Sequence, residues 1–382
     1  MPVLDGAALT IEATLQSLFD SSPTLPLSAS DKLVVVSDLH LGDGSSRDDF
    51  LSNGDLLEQV LRRYYLSNDF ALVLNGDIEE LQRFSLEVIL RRWESLYALF
   101  RRFSDQKALY RIVGNHDEAL WRGGAGILDQ PLLASLRLSF GADTIFIFHG
   151  HQATIFFERF NDVSGFFLRH FANRLHIRNI PVHYESNKRY RTEHRVYGFS
   201  SARKIVSVIG HTHRPLFESL SKIDTLRFRI EQLCRDYPSV SARARQDIEK
   251  VVQGYKLQLE HLWEKDRRDG MQSGLYNEQL SVPCLFNSGC AIGKRGLTAI
   301  EIADAQISLV HWFDRQRSHR HAVEGNGRMA NGKPPKSPPS RRAGDFPMDG
   351  SRPKRLEGTD YYRTVLKTDR LEYVFSRIRL LA

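Results

Sequence analysis

The chain has 382 residues, of which 41% are hydrophobic and 10% aromatic, a composition that excludes global disorder and is sufficient for a large core. It carries 53 Lys+Arg against 46 Asp+Glu, and eleven of the basic but only four of the acidic residues lie between Arg315 and Gly358. No apolar run of 18 residues, no signal-peptide pattern and no zinc-type or disulfide-type cysteine spacing occurs, which predicts a cytoplasmic protein without a transmembrane span.

The predicted elements begin with a helical extension over residues 1–31. From residue 32, short β-branched runs alternate with longer amphipathic stretches, and this pattern predicts an α/β domain over residues 32–314. The last two predicted strands are expected to pair as a hairpin. The predicted strands are Leu33–Ser37, Ala71–Leu74, Ala108–Val113, Thr144–Phe148, Ile205–Ile209, Leu285–Asn287, Leu297–Ile302 and Ile307–Trp312.

Two insertions interrupt this domain. Residues 152–204 hold ten basic and four acidic residues among many aromatic ones, and we interpret them as a helical, basic and aromatic lid. An apolar stripe in the lid either packs on the core or faces acyl chains or an anionic membrane surface. The stripe consists of Phe156, Phe160, Val163, Phe167 and Phe171. Residues 217–280 are predicted to be a second helical insertion, broken near Tyr237–Pro238.

The C-terminal part divides into two predicted segments. Residues 315–358 contain six Pro and six Gly without an apolar period, which is typical of a disordered basic linker. Residues 359–382 are predicted to form an amphipathic helix. Its apolar face either folds back on the core or binds a partner or a membrane surface. That face consists of Leu371, Val374, Phe375, Ile378 and Leu381.

Polar clusters follow the first five predicted strands. Such positions lie at the carboxyl edge of an open α/β sheet, where ligands bind. Carboxylate, imidazole and amide groups together suit divalent first-row metals, and a carboxylate can bridge two of them. The clusters are Asp38-Leu39-His40, Gly76-Asp77, Gly114-Asn115-His116-Asp117, His149-Gly150-His151 and Gly210-His211-Thr212-His213.

This ordered set resembles the calcineurin-like metallophosphoesterases, whose pattern is D-x-H, G-D-x-x-[DE], G-N-H-[DE], H-G and G-H-x-H. The resemblance covers roughly Leu33–Trp312, less the insertions. It implies a four-layer α-β-β-α sandwich and a phosphoester hydrolase in which a hydroxide that bridges two metal ions attacks phosphorus. Mn²⁺ is the first expectation for both ions, with Fe²⁺ and Zn²⁺ as alternatives.

The resemblance also implies residue roles. One ion is expected on Asp38, His40 and His213, the other on Asn115, His149 and His211, with Asp77 bridging them.

His116 is implied to stay free of metal, to bind the phosphate and to protonate the leaving oxygen, as suits an imidazole near neutral pH. Glu80 either orients His116 or is an exposed carboxylate at a helix start. We interpret His151 as a neighbour of the ligands and Asp117 as a residue that fixes its loop.

Within the family, the resemblance is nearest to the bacterial branch that contains the UDP-2,3-diacylglucosamine pyrophosphohydrolases. The start S-D-L-H-L-G, the acidic Glu80 and a helical insertion after His149-Gly150 carry this resemblance, while Leu81 disfavours a protein phosphatase. It implies a phosphorylated small-molecule or lipid substrate and peripheral contact with an anionic membrane at the inner face. A nucleic-acid phosphodiesterase remains an alternative, because basic and aromatic residues alternate in residues 152–204. A non-catalytic scaffold is least favoured, because every expected ligand is present.

Overall fold

A computed structural model describes residues 11–123, 127–128, 130–154, 186–218, 242–268, 282–292, 296–315 and 353–382, and the single positions 226, 230, 233, 234 and 237. Thirteen strands in these ranges form two sheets, with neighbours in the order β12-β13-β11-β10-β2-β3-β4-β5 and β1-β6-β7-β8-β9. The strands are β1 (Thr24–Pro26), β2 (Leu33–Val36), β3 (Ala71–Asn75), β4 (Leu109–Ile112), β5 (Leu132–Leu133), β6 (Ser135–Phe140), β7 (Asp143–Phe148), β8 (Val206–Ile209), β9 (Leu285–Asn287), β10 (Leu297–Ala303), β11 (Gln306–Asp314), β12 (Lys354–Arg355) and β13 (Tyr361–Arg370).

Helices cover the outer face of each sheet. The described helices are α1 (Ile11–Ser21), α2 (Gly54–Val60), α3 (Leu86–Arg92), α4 (Glu94–Asp105), α5 (Leu120–Gly123), α6 (Ser186–Arg203), α7 (Ala242–Arg268) and α8 (Leu371–Leu381). A π-helical turn, Leu61–Tyr65, continues α2, and single 3₁₀ turns occupy Leu51–Asn53, Leu66–Asn68 and His151–Ala153.

The layers follow from the alternation of side chains along the strands. In β2, Val34 and Val36 face α2 and α4, whereas Val35 faces the second sheet. The inner faces of both sheets share one core, in which Val35 packs in the same cluster as Ile145 and Val208. Helices α1 and α6 cover the far face of the smaller sheet. This arrangement confirms the predicted four-layer α-β-β-α sandwich.

The topology gathers the predicted ligands at one edge. Strands β2, β3 and β4 run parallel as neighbours, and so do β7 and β8 in the other sheet. Their carboxyl ends therefore bring all five polar clusters to the same rim of the sandwich. The predicted hairpin of the last two strands is present as the antiparallel pair β10 and β11.

The C-terminal prediction was partly wrong. Residues 359–382 are not one helix, because β13 pairs antiparallel with β11 before α8 begins at Leu371. Apolar positions at helical spacing start only at Leu371, and the preceding segment instead satisfies its backbone groups at the free edge of β11. Helix α8 folds back, and its buried face joins the core between the sheets. The predicted linker is also shorter, since β12 lies within its last residues.

The N-terminal prediction was correct for α1 but missed β1. Residues Thr24–Pro26 pair in parallel with β6, so this segment belongs to the smaller sheet. Strand β6 was itself not predicted.

Parts of both insertions fall outside the described residues. Helix α6 is the described end of the predicted lid, whereas the apolar stripe from Phe156 to Phe171 lies outside them, as do residues 316–352 of the predicted linker. In the second insertion, α7 packs Tyr255 and Leu259 against Leu226. Of the two residues at the predicted break, Tyr237 is among the described residues and Pro238 is not. Among the described helices, none has the length and apolarity to cross a membrane.

Candidate metal centre

The polar clusters meet in a small volume, and their backbone has an unusual conformation. Five of the predicted ligands have positive φ angles between 50° and 63°, a region that non-glycine residues seldom adopt. Such strain concentrates at functional sites, where surrounding contacts maintain it. These residues are Asp38, His40, Asp77, His211 and His213.

The first group of donors joins the ends of β2 and β8. His213 Nε2 lies 3.0 Å from Asp38 Oδ1 and 3.2 Å from His40 Nε2. Asp77 Oδ2 lies 3.9 Å from His40 Nε2. Donors about 2.0–2.2 Å from one ion are separated from each other by roughly 3–3.5 Å, so the two distances from His213 suit a shared cation, while His40 Nε2 and Asp38 Oδ1 lie farther apart, at 4.0 Å.

The second group contains Asp77, His149 and His211, whose donor atoms all lie within 4.8 Å of one another. His149 Nε2 lies 3.2 Å from Asp77 Oδ2, without the geometry of a hydrogen bond. Asn115 Oδ1, His149 Nε2 and His211 Nε2 are all buried, and none accepts or donates a hydrogen bond within the described part of the chain. Buried polar atoms seldom remain unpaired, so these three atoms fit a divalent cation.

Hydrogen bonds fix which nitrogen each histidine presents to the centre. His149 Nδ1 donates to the Asn75 carbonyl at 2.8 Å, which leaves the lone pair on Nε2 for a metal. Glu80 Oε2 accepts from His40 Nδ1 at 3.0 Å, and Glu80 Oε1 accepts from His116 Nδ1 at 2.9 Å. Glu80 is only 3% exposed, so it is not the exposed helix-start carboxylate of the alternative interpretation. A carboxylate behind a ligating imidazole is the usual second support of a metal site.

His116 also lies close enough to be a donor itself. His40, Asp77 and His116 form a third group with converging ligand atoms, and the His40 and His116 rings meet edge to face at 4.6 Å. The geometry by itself therefore places His116 at the centre without deciding whether it binds metal.

Electrostatics set the protonation of these side chains. Burial alone lowers the pKa of His149, but the charge of Asp77 outweighs it and raises the pKa to about 10. Burial and the charge of His149 lower the pKa of His211 to about 3. Burial opposes ionisation of Asp77, yet the histidines around it hold the pKa of its carboxyl well below the usual range. An ion at this position thus meets an ionised carboxylate and must displace protons from part of the imidazole set.

Burial also lowers the pKa of His116, but the charge of Asp77 and the hydrogen bond to Glu80 prevail and raise it to about 9. For Glu80, the hydrogen bonds from His116 and His40 overcome the effect of burial and lower the pKa to about 2. The pair is therefore an imidazolium next to a carboxylate. Two bound cations would lower the pKa of His116, because they repel its positive charge.

Several supporting residues were not identified from the sequence. Ser37 Oγ donates to Asp38 Oδ2 at 2.5 Å and pairs with Ser288 Oγ at 2.7 Å. This pairing places Asn287-Ser288-Gly289, at the end of β9, behind the predicted metal ligands. Glu193 on α6 is bonded to the loop that holds His211 and His213. In the sequence, the only signal for these supporting hydrogen bonds is the presence of small hydroxyl residues next to the motifs.

Two further interpretations can be placed in the structure. Asp117 accepts from the backbone amides of Gly114 and Ile78, at 2.5 and 2.8 Å, and so connects the loops after β3 and β4. His151 lies behind the predicted ligands, with its ring centre 5.4 Å from that of His149 and outside every donor group found among the described residues.

Comparison with known proteins shows what this domain is similar to. Residues 32–215 match the family model described as calcineurin-like phosphoesterase. This part of the chain is therefore similar to the calcineurin-like phosphoesterases. The domain and its Asp/His clusters support binding of a divalent metal and a metal-dependent phosphoesterase.

Solved structures with similar features include a conserved protein described as a predicted phosphoesterase from Streptococcus pneumoniae TIGR4. It shares 15% identity, with 74% of this chain and 89% of that chain covered and a TM-score of 0.26. A single mutant of Vps29 from Entamoeba histolytica shares 11% identity, with 75% and 94% covered and a TM-score of 0.31. The search of curated proteins gave no match.

Proposed function

We propose that this protein is a dinuclear metal-dependent phosphoesterase. The supporting observation is that two groups of converging donor atoms lie next to each other at Asp77. Asp77 is 1% exposed, and its carboxylate lies between His40 and His149, which belong to different groups. A shared carboxylate is the feature that distinguishes a two-metal site from two separate sites.

In this proposal, Asp38, His40 and His213 would hold one ion, and Asn115, His149 and His211 would hold the other. Asp77 would contribute to both. When bound, such a pair acts as a Lewis acid toward phosphoryl oxygens and makes water a strong nucleophile at neutral pH. Mn²⁺ is our first choice, because it accepts the mixed oxygen and nitrogen donors of both sets.

His116 supplies the proton in this proposal. Glu80 binds its Nδ1–H, so the proton to be transferred is on Nε2, which lies 4.0 Å from Asp77 Oδ2 at the centre. An imidazolium in this position neutralises charge on the phosphoryl group and then protonates the departing oxygen. The ring is 22% exposed, whereas the ring of His149 is fully buried, so His116 is the one of the two that a substrate can reach.

For the substrate we propose an anionic phosphoester or pyrophosphate of the nucleotide-linked or lipid-linked kind, following the resemblance to the diacylglucosamine pyrophosphohydrolase branch. The support is the sequence of the predicted lid, residues 152–204, in which ten basic residues are interspersed with aromatic ones. The intact ligand set and His116 favour catalysis over a scaffold role.

The test is metal content together with hydrolysis. Full-length protein is loaded with Mn²⁺, its bound metal is measured by atomic emission, and turnover of bis(p-nitrophenyl) phosphate is followed. We expect two ions per chain, and we expect Asp77→Asn to bind fewer ions and to lose at least about a thousandfold in turnover.

Asp304→Asn is the matched control, because Asp304 has the same left-handed backbone as Asp77 (φ 51° against 53°) but is exposed in the turn between β10 and β11. It should behave as the wild type. A wild-type protein with fewer than two ions, or an Asp77→Asn variant with full turnover, would refute the proposed function.

A further inference from the structure

The loop that carries two of the predicted ligands is held from outside by a buried carboxylate. Thr212 lies between His211 and His213, and its hydroxyl donates to Glu193 Oε1 at 2.8 Å. The next residue after His213 is Arg214, whose Nε donates to Glu193 Oε1 at 3.1 Å and whose terminal nitrogen donates to Glu193 Oε2. Glu193 thus contacts the loop on both sides of His213.

This contact is deeply buried. Glu193 is 1% exposed and Thr212 is fully buried, whereas the Arg214 side chain is 34% exposed. The Thr212 hydroxyl also accepts from Asn287 Nδ2 at 2.8 Å, so it is fixed between α6 and the end of β9. A buried carboxylate is costly unless it is paired, and a fork-shaped pair with arginine fixes orientation as well as charge.

The loop requires such support. His211 and His213 have φ angles of 63° and 54°, and a residue in this region persists only when surrounding contacts hold it there. His211 and His213 also belong to different donor groups, so one displacement of the loop would disturb both. Glu193 comes from α6, which packs on the smaller sheet through Val196 and Phe199.

We propose that Glu193 is a positioning residue of the metal centre, which sets the affinity of both metal sites by holding the His211–Arg214 loop. This inference rests on the proposed function for the identity of the ligands. It adds a residue that lies outside all five strand-end clusters and touches no ligand atom.

The test is titration of Mn²⁺ into full-length, chelator-treated protein by calorimetry. Glu193→Gln keeps the size of the side chain and an oxygen for Thr212 but removes the charge that pairs with Arg214. We expect its Kd for Mn²⁺ to rise about tenfold at both sites, the lower range for loss of a residue behind metal ligands. Thr212→Val, which removes the hydroxyl at nearly constant volume, should raise the Kd in the same direction.

Glu301→Gln is the matched control. Glu301 is 4% exposed and accepts from Nε and the terminal nitrogen of Arg363, as Glu193 does from Arg214, but it lies on β10. Both Gln variants should lose thermal stability, while only Glu193→Gln should change the Kd. A Kd within twofold of wild type for Glu193→Gln, or an equal rise for Glu301→Gln, would overturn the inference.

The two proposals fail in different ways. A wild-type protein that binds two ions but hydrolyses no phosphoester contradicts the proposed function and leaves the Kd comparison valid. A wild-type protein that hydrolyses the diester, with a Glu193→Gln variant of unchanged Kd, contradicts only the inference about Glu193.

Discussion

Glu80 connects a predicted metal ligand with the predicted proton donor. Its two carboxylate oxygens accept separately from His40 and His116, so both rings take their orientation from one buried side chain. Sequence alone left Glu80 between this role and an exposed helix start, because a single acidic residue after G-D-x-x fits both. The burial of Glu80 decides between these two roles, and it results from the packing of the loops after β2, β3 and β4.

Replacement of His116 by Gln tests its role as a proton donor. We expect the variant to keep two Mn²⁺ ions, because both donor groups remain complete without it. Turnover of an alkyl phosphodiester should fall about 10²- to 10³-fold, and turnover of a p-nitrophenyl ester much less, because p-nitrophenolate leaves without a proton. Steady-state kinetics on the two esters measures this difference. Equal losses on both esters would contradict the role as proton donor, and the loss of one ion would show that His116 is a ligand.

Gly76 determines the position of His149. It has a φ of 79°, and a Cβ atom there would lie within 3 Å of three atoms of the His149 side chain. Gly76→Ala should therefore displace the ring, reduce the bound metal and destabilise the fold by about 1–3 kcal/mol. Metal analysis and urea denaturation check both effects.

Gly198→Ala is the control for that variant, since a Cβ at Gly198 on α6 meets nothing within 4 Å. Alanine is the better helix former, so this change should stabilise the protein by up to about 1 kcal/mol and leave the metal content intact. If Gly76→Ala binds metal like Gly198→Ala, the close approach at His149 is unimportant.

At the scale of elements, the C-terminal strand and helix complete the fold. Strand β13 covers the edge of β11, and α8 buries Leu371, Val374, Phe375 and Ile378. Strand β13 also supplies Arg363 to the buried Glu301, whose other partner is the hydroxyl of Tyr65 at 2.8 Å. The segment that the sequence separated from the domain by a linker is therefore part of the larger sheet.

Arg363→Ala should show how strongly this segment is held. The change leaves the Glu301 carboxylate buried without its cation, which typically costs about 3–5 kcal/mol in free energy of unfolding. Arg355→Ala is the control, because Arg355 and Asp360 form a pair whose side chains are 57% and 61% exposed, and such pairs contribute little. Urea denaturation of both variants is the measurement. Similar midpoints would mean that β13 is only loosely attached.

The contact between Asp369 on β13 and Glu218 predicts that the stability of the fold depends on pH. Burial and the neighbouring Glu218 raise the pKa of Asp369 to about 6, whereas in the unfolded chain it is near 3.8. Ionisation of Asp369 thus opposes folding, and the cost grows as pH rises from about 4 to 6. Asp369→Asn should raise the free energy of unfolding above pH 6, by about 1 kcal/mol after discounting for solvent screening, and change nothing below pH 4.

The comparison requires denaturation of wild type and variant at pH 4.5 and pH 7.5. Glu357→Gln, at an exposed position in the same segment, should give equal differences at both pH values. A stabilisation by Asp369→Asn that is independent of pH would contradict the raised pKa of Asp369 in the folded protein.

At the scale of the whole molecule, sequence predicted the parts whose signal is local. Strands β2, β3 and β8 are short, mostly apolar and largely buried runs, and each ends at a polar cluster, so both the fold class and the candidate ligands could be predicted from the sequence. Strand β13 could not be predicted, because its side chains are half-buried and its partner β11 lies some fifty residues earlier. The role of Glu193 could not be predicted from the sequence either, because it depends on the packing of α6 beside the loop after β8.

The positive φ angles of the five predicted ligand residues also bear on how this protein can change. Each of them holds its backbone in a conformation that glycine or asparagine adopts at less cost. A library selected only for heat resistance in a chelating buffer should therefore accumulate Gly and Asn at Asp38, His40, Asp77, His211 and His213, and yield more stable proteins that lack the proposed metal donors. On the proposed function, selection of this scaffold for stability must be combined with selection for metal-dependent activity.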